Sequence, residues 1–183
     1  MSPAPAGPGP AAVFTRLYEE HRRPVYAFLL GRSGDPETAG DLLQEVFLRA
    51  WRHIAALATL TAGEQRSWVF AVARNLAIDA HRASRTRDAA RAELLLTGPA
   101  AAGLDEQPAA RAEMAECLET LSAAIRRLPE PLRVALALCT VGELTSAQAG
   151  ELLGEPAGTV RYRLSLARRQ LSAALLAYEE GRP

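Results

Sequence analysis

The stretch Asp41-Leu42-Leu43-Gln44-Glu45-Val46-Phe47-Leu48-Arg49-Ala50-Trp51-Arg52 decides how the rest of this chain is interpreted. Its apolar residues recur at helical spacing and, together with Ile54, form one broad stripe: Leu43, Val46, Phe47, Ala50, Trp51 and Ile54. An acidic residue opens the stretch and arginines close it, which suits the dipole of a helix. The sequence therefore predicts an amphipathic helix, which taken alone would be an ordinary core element.

The composition is that of a folded protein. Hydrophobic residues make up 49% of the 183 residues, which is too many for wholesale disorder. No apolar run is long enough to cross a membrane, and the N-terminus lacks the basic and then apolar order of a secretion signal. We therefore expect one or two domains in the cytoplasm, with no membrane insertion.

The charges are divided unevenly along the chain, and every one of the 21 basic residues is arginine. Residues 1–91 contain 12 arginines and 9 acidic residues, a net charge of +3, whereas residues 92–183 contain 9 arginines and 12 acidic residues, a net charge of −3. The formal net charge of zero argues against nucleic-acid binding only if charge is evenly spread. The clustered arginines keep nucleic acid open as a partner.

Patterns typical of enzymes and metal sites are missing from the sequence. Cys117 and Cys139 form no Cys-x-x-Cys pair and are predicted to be buried free thiols, and the three histidines are scattered. There is no His-Glu-x-x-His, no phosphate-binding glycine loop and no nucleophile elbow. We predict no catalytic residue, no metal and no cofactor.

A second predicted helix begins near Glu64, continues past Arg82, and carries most of the arginines of the first half. The arginines on it or just after it are Arg66, Arg74, Arg82, Arg85, Arg87 and Arg91. Asn75 and Asp79 share a face with Arg82. Arginine pairs with phosphate and stacks on bases, although a solvated, salt-bridged helix face would have the same composition.

The C-terminal part has the spacing of a helix-turn-helix. A short helix is predicted from Thr145 to Leu153, followed by the turn Gly154-Glu155 and a helix from Pro156 to about Leu176. The second helix of such a motif enters the major groove. Its predicted core residues are Val160, Leu164, Ala167 and Leu171, and Arg161, Ser165 and Arg168 share another face. An all-structural helical hairpin remains an alternative on spacing alone.

These segments predict an all-α fold of two small helical domains joined by a flexible linker. We expect a disordered tail over residues 1–11, a first domain over 12–91, a linker over 92–112 and a helix-turn-helix domain over 113–177. The second domain should open with an apolar helical stripe: Met114, Leu118, Leu121, Ile125 and Leu128.

Four segments resemble bacterial RNA polymerase sigma factors of the extracytoplasmic-function subfamily of the sigma-70 family. The helix from Asp41 to Trp51 is similar to the family's "Asp-Leu-x-Gln-Glu-x-Phe-Leu-Arg-Ala-Trp", and residues 68–79 resemble "Trp-Leu-x-x-Ile-Ala-Arg-Asn-Leu-x-Ile-Asp". Residues 128–133 resemble the "Leu-Pro-x-x-x-Arg" entry into the C-terminal region, and residues 158–164 resemble "Gly-Thr-Val-Lys-Ser-Arg-Leu".

The resemblance implies binding to core RNA polymerase and to promoter DNA, both duplex and melted, together with an anti-sigma factor as inhibitor. It implies polymerase contacts by Asp41, Gln44, Glu45, Leu48, Arg49 and Arg52. It implies contacts to the −10 element by Arg66, Trp68, Arg74, Asn75, Asp79, Arg82 and Arg85. It implies contacts to the −35 element by Thr159, Arg161, Tyr162, Arg163, Ser165 and Arg168.

The helix-turn-helix departs from the family pattern at several positions. The family usually has a larger apolar residue at Ala149, Ala at Gly150 and Ile at Glu155, so we expect a thin core there. Glycine inside a helix costs about 1 kcal/mol relative to alanine. Tyr162 replaces a small residue and is expected to contact phosphate or bases.

Two other functions are compatible with this sequence. A stand-alone helix-turn-helix regulator would bind duplex DNA without polymerase, but it has no use for the Gln44-Glu45 helix. A protein-interaction adaptor with a sigma-like fold would have lost DNA binding, and the unusual turn residues favour it. Co-elution with core polymerase and run-off transcription separate these alternatives from a sigma factor.

Overall fold

The computed structural model describes residues 9–91 and 108–180, with side chains for residues 9–82 and 114–180. Within these ranges the secondary structure is entirely helical. The helices are α1 (Pro10–Ser33), α2 (Pro36–Arg52), α3 (Ile54–Leu57), α4 (Ala62–Arg91), α5 (Pro108–Arg127), α6 (Glu130–Thr140), α7 (Ser146–Leu153) and α8 (Ala157–Glu180). The predicted tail over 1–11 lies mostly, and the predicted linker over 92–112 largely, outside the described residues.

The N-terminal unit is built from α1 to α4, with α1, α2 and α4 packed against one another. An aromatic cluster joins α1 to α2. The Tyr18 and Phe47 rings meet edge to face with centroids 4.8 Å apart, and Phe14 and Trp51 do so at 5.2 Å. Such edge-on pairs add to the burial of apolar surface, so they fix α2 against α1.

Helix α2 contains the whole predicted stretch Asp41–Arg52 and begins five residues before it, at Pro36. The Asp35 carboxylate accepts a hydrogen bond from the Thr38 backbone N–H at 2.8 Å, and Pro36 occupies the first turn. Val46, Phe47 and Ala50 are buried. The apolar stripe thus faces the core and leaves the opposite face of α2 to solvent.

The C-terminal unit contains α5 to α8, and α7 and α8 form the predicted helix-turn-helix. Thr145 caps α7 in a reciprocal arrangement with Gln148, in which the Thr145 N–H donates to Gln148 Oε1 at 2.9 Å and the Gln148 N–H donates to Thr145 Oγ1 at 3.3 Å. Gly154 ends α7 in the left-handed region, with φ of 70°. Val160 and Ala167, which face the core from α8, are fully buried.

Helices α1 and α6 join the two units. Gly31 of α1 lies so close to Val134 of α6 that a Cβ at position 31 would be 2.6 Å from the Val134 Cα. One apolar core runs across this junction, and it includes Leu17, Leu29 and Leu138. The described parts of the two units therefore share a packed interface.

The start of the C-terminal unit differs from the prediction. Helix α5 begins at Pro108, inside the segment predicted as a linker, and this proline is the first residue of the helix. Met114 and Leu118 are 61% and 54% exposed, so the first half of the expected apolar stripe is not part of the core of the described residues. Cys117 and Cys139 are free thiols, as expected, but both are only half-buried.

Candidate polymerase and nucleic-acid interface

The solvent-facing side of α2 carries all six residues for which the resemblance to sigma factors implies polymerase contacts. They recur at positions 41, 44, 45, 48, 49 and 52, which is one helical face. Leu48 is 50% exposed in the middle of this face. Glu45 and Arg49 pair along the helix at 2.7 Å, so these two charges partly neutralise each other. An exposed leucine ringed by polar groups is typical of a protein-docking surface.

The outward face of α4 holds four of the residues predicted to contact the −10 element. Arg74, Asn75, Asp79 and Arg82 are exposed, and Asp79 lies 3.9 Å from Arg82. Trp68 is half-buried at the start of this surface, and its ring lies edge-on to His53 with centroids 5.8 Å apart. The Arg85 backbone belongs to α4, but its side chain lies outside the described residues.

The segment between α2 and α4 is short, and part of it is helical. Helix α3 occupies residues 54–57, and α4 already begins at Ala62. Glu64 accepts hydrogen bonds from the Thr61 N–H and hydroxyl, each at 2.8 Å, and these bonds lower the pKa of the Glu64 carboxyl. This capping arrangement fixes where α4 starts.

Gln65 anchors the same segment from inside. Its buried amide donates to the carbonyl oxygens of Leu57 at 2.8 Å and Leu60 at 3.2 Å, and Arg16 donates to its Oε1 at 3.2 Å. A buried amide with partners on both ends holds the chain around it in one conformation. Gln65 was not predicted as a structural residue, because nothing in the neighbouring sequence distinguishes it from an exposed helical glutamine.

Arg66 lies apart from the other residues predicted to contact the −10 element. Its guanidinium donates to the Gln148 carbonyl oxygen at 3.4 Å and lies 4.0 Å from the Glu151 carboxylate, both on α7. The buried His21 lines the same cleft. Burial lowers the pKa of His21, Glu20 opposes that shift, and the Arg66 charge adds to it. Arg66 is therefore part of the junction between the two units in this conformation.

On α8, the structure brings together most of the residues predicted to contact the −35 element. Arg161, Tyr162, Ser165 and Arg168 are exposed, and Tyr162 is 65% exposed. Thr159 lies half-buried at the start of the helix. Two arginines and an exposed tyrosine on one face of the second helix of this motif match the side chains that contact phosphates and base edges.

Arg163 is separated from this group by its pairing with Glu155. Its Nη1 lies 2.6 Å from Glu155 Oε2, and both side chains are less than a third exposed. Glu155 is also held through its backbone, whose N–H donates to the Gly150 carbonyl oxygen at 2.9 Å. The ion pair therefore connects the turn, which contains Glu155, to helix α8, which contains Arg163. The opposite charges were visible in the sequence, but their contact was not.

Gly150 is required by the same turn. A Cβ at this position would lie 2.6 Å from the Glu155 carbonyl oxygen and 3.3 Å from the Ala157 backbone nitrogen. Glycine lowers the helix propensity of α7, but it also lets α7 approach the turn more closely than any larger residue would. The turn that looked weak in the sequence is tightly packed.

The residues that the structure describes contain neither a cluster of metal-binding side chains nor a membrane-spanning helix. No group of three or more histidine, cysteine, aspartate or glutamate side chains there is placed to hold a metal ion. No helix in the same ranges is long and apolar enough to span a membrane.

Comparison with known proteins places both units in one family. Residues 17–87 match the family model for Sigma-70 region 2, and residues 118–171 match that for Sigma-70 region 4. The chain is 34% identical over 167 residues to the ECF RNA polymerase sigma factor SigL of Mycobacterium tuberculosis, covering 90% of each protein. It is 31% identical over 157 residues to SigM of Bacillus subtilis, covering 86% of this chain and 91% of that protein.

Solved structures show the same fold. The sigma factor RpoE, in complex with the anti-sigma factor NepR from Bartonella quintana, matches with a TM-score of 0.60 and 20% identity, over 88% of this chain and 96% of that one. CnrH, in complex with the cytosolic domain of CnrY, matches with a TM-score of 0.53 and 23% identity, over 90% and 88%. With two family regions matched and relatives above 30% identity along most of its length, this chain belongs to the extracytoplasmic-function RNA polymerase sigma factors of the sigma-70 family.

Proposed function

We propose that this sigma factor binds core RNA polymerase through the outward face of α2. The observation that supports this assignment is Leu48, which is half-exposed at the centre of a polar face, while Val46, Phe47 and Ala50 on the other side of α2 are buried. Asp41, Gln44 and Arg52 surround it, and the Glu45–Arg49 pair completes the face. Burying Leu48 against an apolar patch of the enzyme would supply affinity, and the charges around it would set the orientation.

The two DNA-reading surfaces are then α4 and α8. The proposed −10 surface contains Trp68, Arg74, Asn75, Asp79 and Arg82, with Arg85 and Arg66 completing it after rearrangement. Arginines that follow a melted strand, beside an aromatic ring on which a base can stack, suit single-stranded DNA. Melting would then be driven by capture of unstacked bases, with no covalent step by this chain. We therefore assign it no catalytic activity.

The proposed −35 surface consists of Thr159, Arg161, Tyr162, Ser165 and Arg168 on α8. Arg161 and Arg168 can donate to phosphates or to base edges in the major groove. We assign Arg163 to the support of the turn as long as its pair with Glu155 persists. The functional domains proposed for these roles are residues 12–91 and 113–177, connected by residues 92–112.

The proposed role as a sigma factor also implies where the protein acts and what inhibits it. The chain should act in the cytoplasm, where the polymerase and the chromosome are. It should also have a protein inhibitor, because the RpoE and CnrH structures that it resembles were solved with an anti-sigma factor and with a CnrY domain.

Reconstitution with purified core polymerase tests this function. A holoenzyme should form and give run-off transcripts from genomic fragments that it selects. Replacing Gln44 and Glu45 together with alanine should weaken holoenzyme formation while leaving the helical content unchanged. A stand-alone regulator would elute apart from polymerase, and an adaptor would support no transcript; either result would replace the sigma-factor assignment.

A further inference from the structure

A cavity of about 200 Å³ lies where the C-terminal end of α1 meets α5 and α6. It forms because α5 packs mainly on α8 whereas α6 packs on both α1 and α8, which leaves space between α5 and α6 beside the end of α1. Most of its wall consists of aliphatic side chains, those of Leu30, Ile125, Leu136, Ala137 and Val141. Val141 is 40% exposed, so the cavity opens to solvent on one side.

The wall of this cavity offers little to water. Its hydroxyl groups are those of Ser122, which is exposed, and Thr140, which donates to the Leu136 carbonyl oxygen of its own helix at 2.7 Å. A buried water needs two to four polar partners, whereas an apolar cavity of about 150 Å³ stays dry and holds a benzene molecule, with six carbon atoms. By the same measure, the cavity here has room for about eight carbon atoms.

Two arginines line the cavity as well. Arg133 is partly buried beneath Gly34, where a Cβ would lie 3.3 Å from the Arg133 guanidinium carbon. Its Nε donates to the Gly31 carbonyl oxygen at 2.8 Å, and its Nη1 donates to the Leu128 carbonyl oxygen at 3.0 Å and to that of Arg126 at 3.3 Å. These partners are neutral, so the positive charge of Arg133 is not cancelled. Arg126 itself is exposed at the opening of the cavity.

The charges around the cavity are unbalanced. Neither guanidinium forms an ion pair with a carboxylate of the described residues, and no acidic side chain lines the cavity there. The nearby Asp35 accepts hydrogen bonds from the Thr38 N–H at 2.8 Å and hydroxyl at 2.6 Å. These bonds are the chief cause of the lowered pKa of its carboxyl, to which the Arg126 charge adds. Two cations beside an aliphatic cavity complement an anion that has an aliphatic body.

We propose that this cavity binds a small aliphatic carboxylic acid, with a chain of about six to eight carbon atoms inside and the carboxylate at Arg126. The guanidinium of Arg126 donates to the carboxylate, and Arg133 supplies a second positive charge beside it. The cavity is too small for the two acyl chains of a membrane lipid, so the ligand is a free acid. This inference goes beyond the proposed function, because the site lies outside the surfaces assigned to polymerase and promoter.

The three isoleucines of the chain provide a site-specific readout in the full-length protein. Ile125 lines the cavity, Ile54 is buried in the N-terminal unit, and Ile78 is 38% exposed on α4. In a spectrum of isotope-labelled isoleucine methyl groups, sodium octanoate should shift the Ile125 signal alone. The expected Kd is about 0.1–1 mM, since the ligand has about ten non-hydrogen atoms. An equal shift of Ile78 would show nonspecific adsorption to exposed apolar side chains and would overturn the proposal.

A series of ligands tests the chemistry of the site. Affinity should rise about tenfold from butanoate to hexanoate and again to octanoate, because each added CH₂ leaves water, and it should rise little beyond octanoate once the cavity is full. Octyltrimethylammonium has the same chain with a positive charge, so it should bind at least about tenfold more weakly than octanoate. Equal binding of the cation, or affinity that keeps rising to dodecanoate, would overturn the proposed site.

Two pairs of variants locate the ligand. Ser122→Phe should obstruct the cavity and weaken octanoate binding severalfold, whereas Ser172→Phe, at an exposed serine of α8, should not. Arg126→Gln should reduce the preference for octanoate over octyltrimethylammonium. Arg127→Gln is the matched control, because Arg127 is exposed one residue further along the chain and does not line the cavity. All four side chains are exposed, so the variants should remain folded; equal effects within either pair would contradict the assignment.

Other occupants of this surface would give different results. If a second copy of the chain covers the cavity, the Ile125 signal will change with protein concentration in the absence of octanoate. If the acyl chain of a lipid enters it, phosphatidylglycerol vesicles will change the Ile125 signal and octanoate will not. Either result, or no shift of Ile125 at about 10 mM octanoate, overturns the proposal. A chain that binds octanoate but not core polymerase would instead refute the proposed function and leave this site in place.

Discussion

The guanidinium of Arg163 and the carboxylate of Glu155 lie 2.6 Å apart across the turn of the helix-turn-helix. One residue belongs to the turn and the other to the recognition helix. Both are largely shielded from water, so the pair is screened less than a surface ion pair would be. It explains how a charged residue replaces the usual apolar one at position 155.

The first prediction concerns this pair. Glu155→Ala and Arg163→Ala should each lower the free energy of unfolding of the C-terminal unit by about 1 kcal/mol, and the double variant should cost less than their sum. Urea denaturation followed by circular dichroism measures the coupling. Arg161→Ala, on the exposed face, should leave stability unchanged and reduce promoter use. Additive losses at 155 and 163 would exclude a supporting role for Arg163.

The second prediction concerns Gly150. Helix propensity alone says that Gly150→Ala should stabilise α7, by about 1 kcal/mol. The added Cβ would instead meet the Glu155 carbonyl oxygen, so we expect a loss of about 1–3 kcal/mol through displacement of the turn. Gly40→Ala, in open space on α2, should be neutral or stabilising. Thermal unfolding of the two variants decides between propensity and packing, and a gain at position 150 would contradict the close approach.

Contacts between residues close in sequence could be predicted, whereas contacts between distant residues could not. The Asp35 cap, the α2 stripe and the Thr145–Gln148 cap were predictable because each depends on residues within one or two helical turns. The contacts of Arg66 with Gln148 and of Arg133 with Gly31 were not, because 82 and 102 residues separate the two members of these pairs along the chain. Met114 and Leu118 have helical spacing but no described neighbour that buries them, since periodicity alone does not reveal what a face packs against.

The third prediction concerns the docking face of α2. Leu48→Asp should weaken binding to core polymerase by at least about tenfold, which corresponds to about 1.4 kcal/mol, because it removes apolar contact and places a charge at its centre. The fold of the Leu48→Asp variant should be unaffected, since the Leu48 side chain is half-exposed. Leu176→Asp is the matched control, because Leu176 is similarly exposed on α8. Equal effects of the two substitutions on polymerase binding would argue against a specific site on α2.

The fourth prediction concerns His21, whose side chain is buried between Glu20 and Arg66 and has a lowered pKa, chiefly because of burial. A histidine whose pKa is lower in the folded than in the unfolded chain binds fewer protons when folded. The unfolded state therefore gains protons first as the pH falls below about 6.5, and the free energy of unfolding decreases from there. Urea denaturation at pH 7.5 and pH 5.5 should show this loss, and His21→Leu should reduce it. The exposed His53 and His81 are retained in that variant, so the difference between the two slopes isolates His21. An unchanged slope would mean that protonation of this buried ring does not control stability in that range.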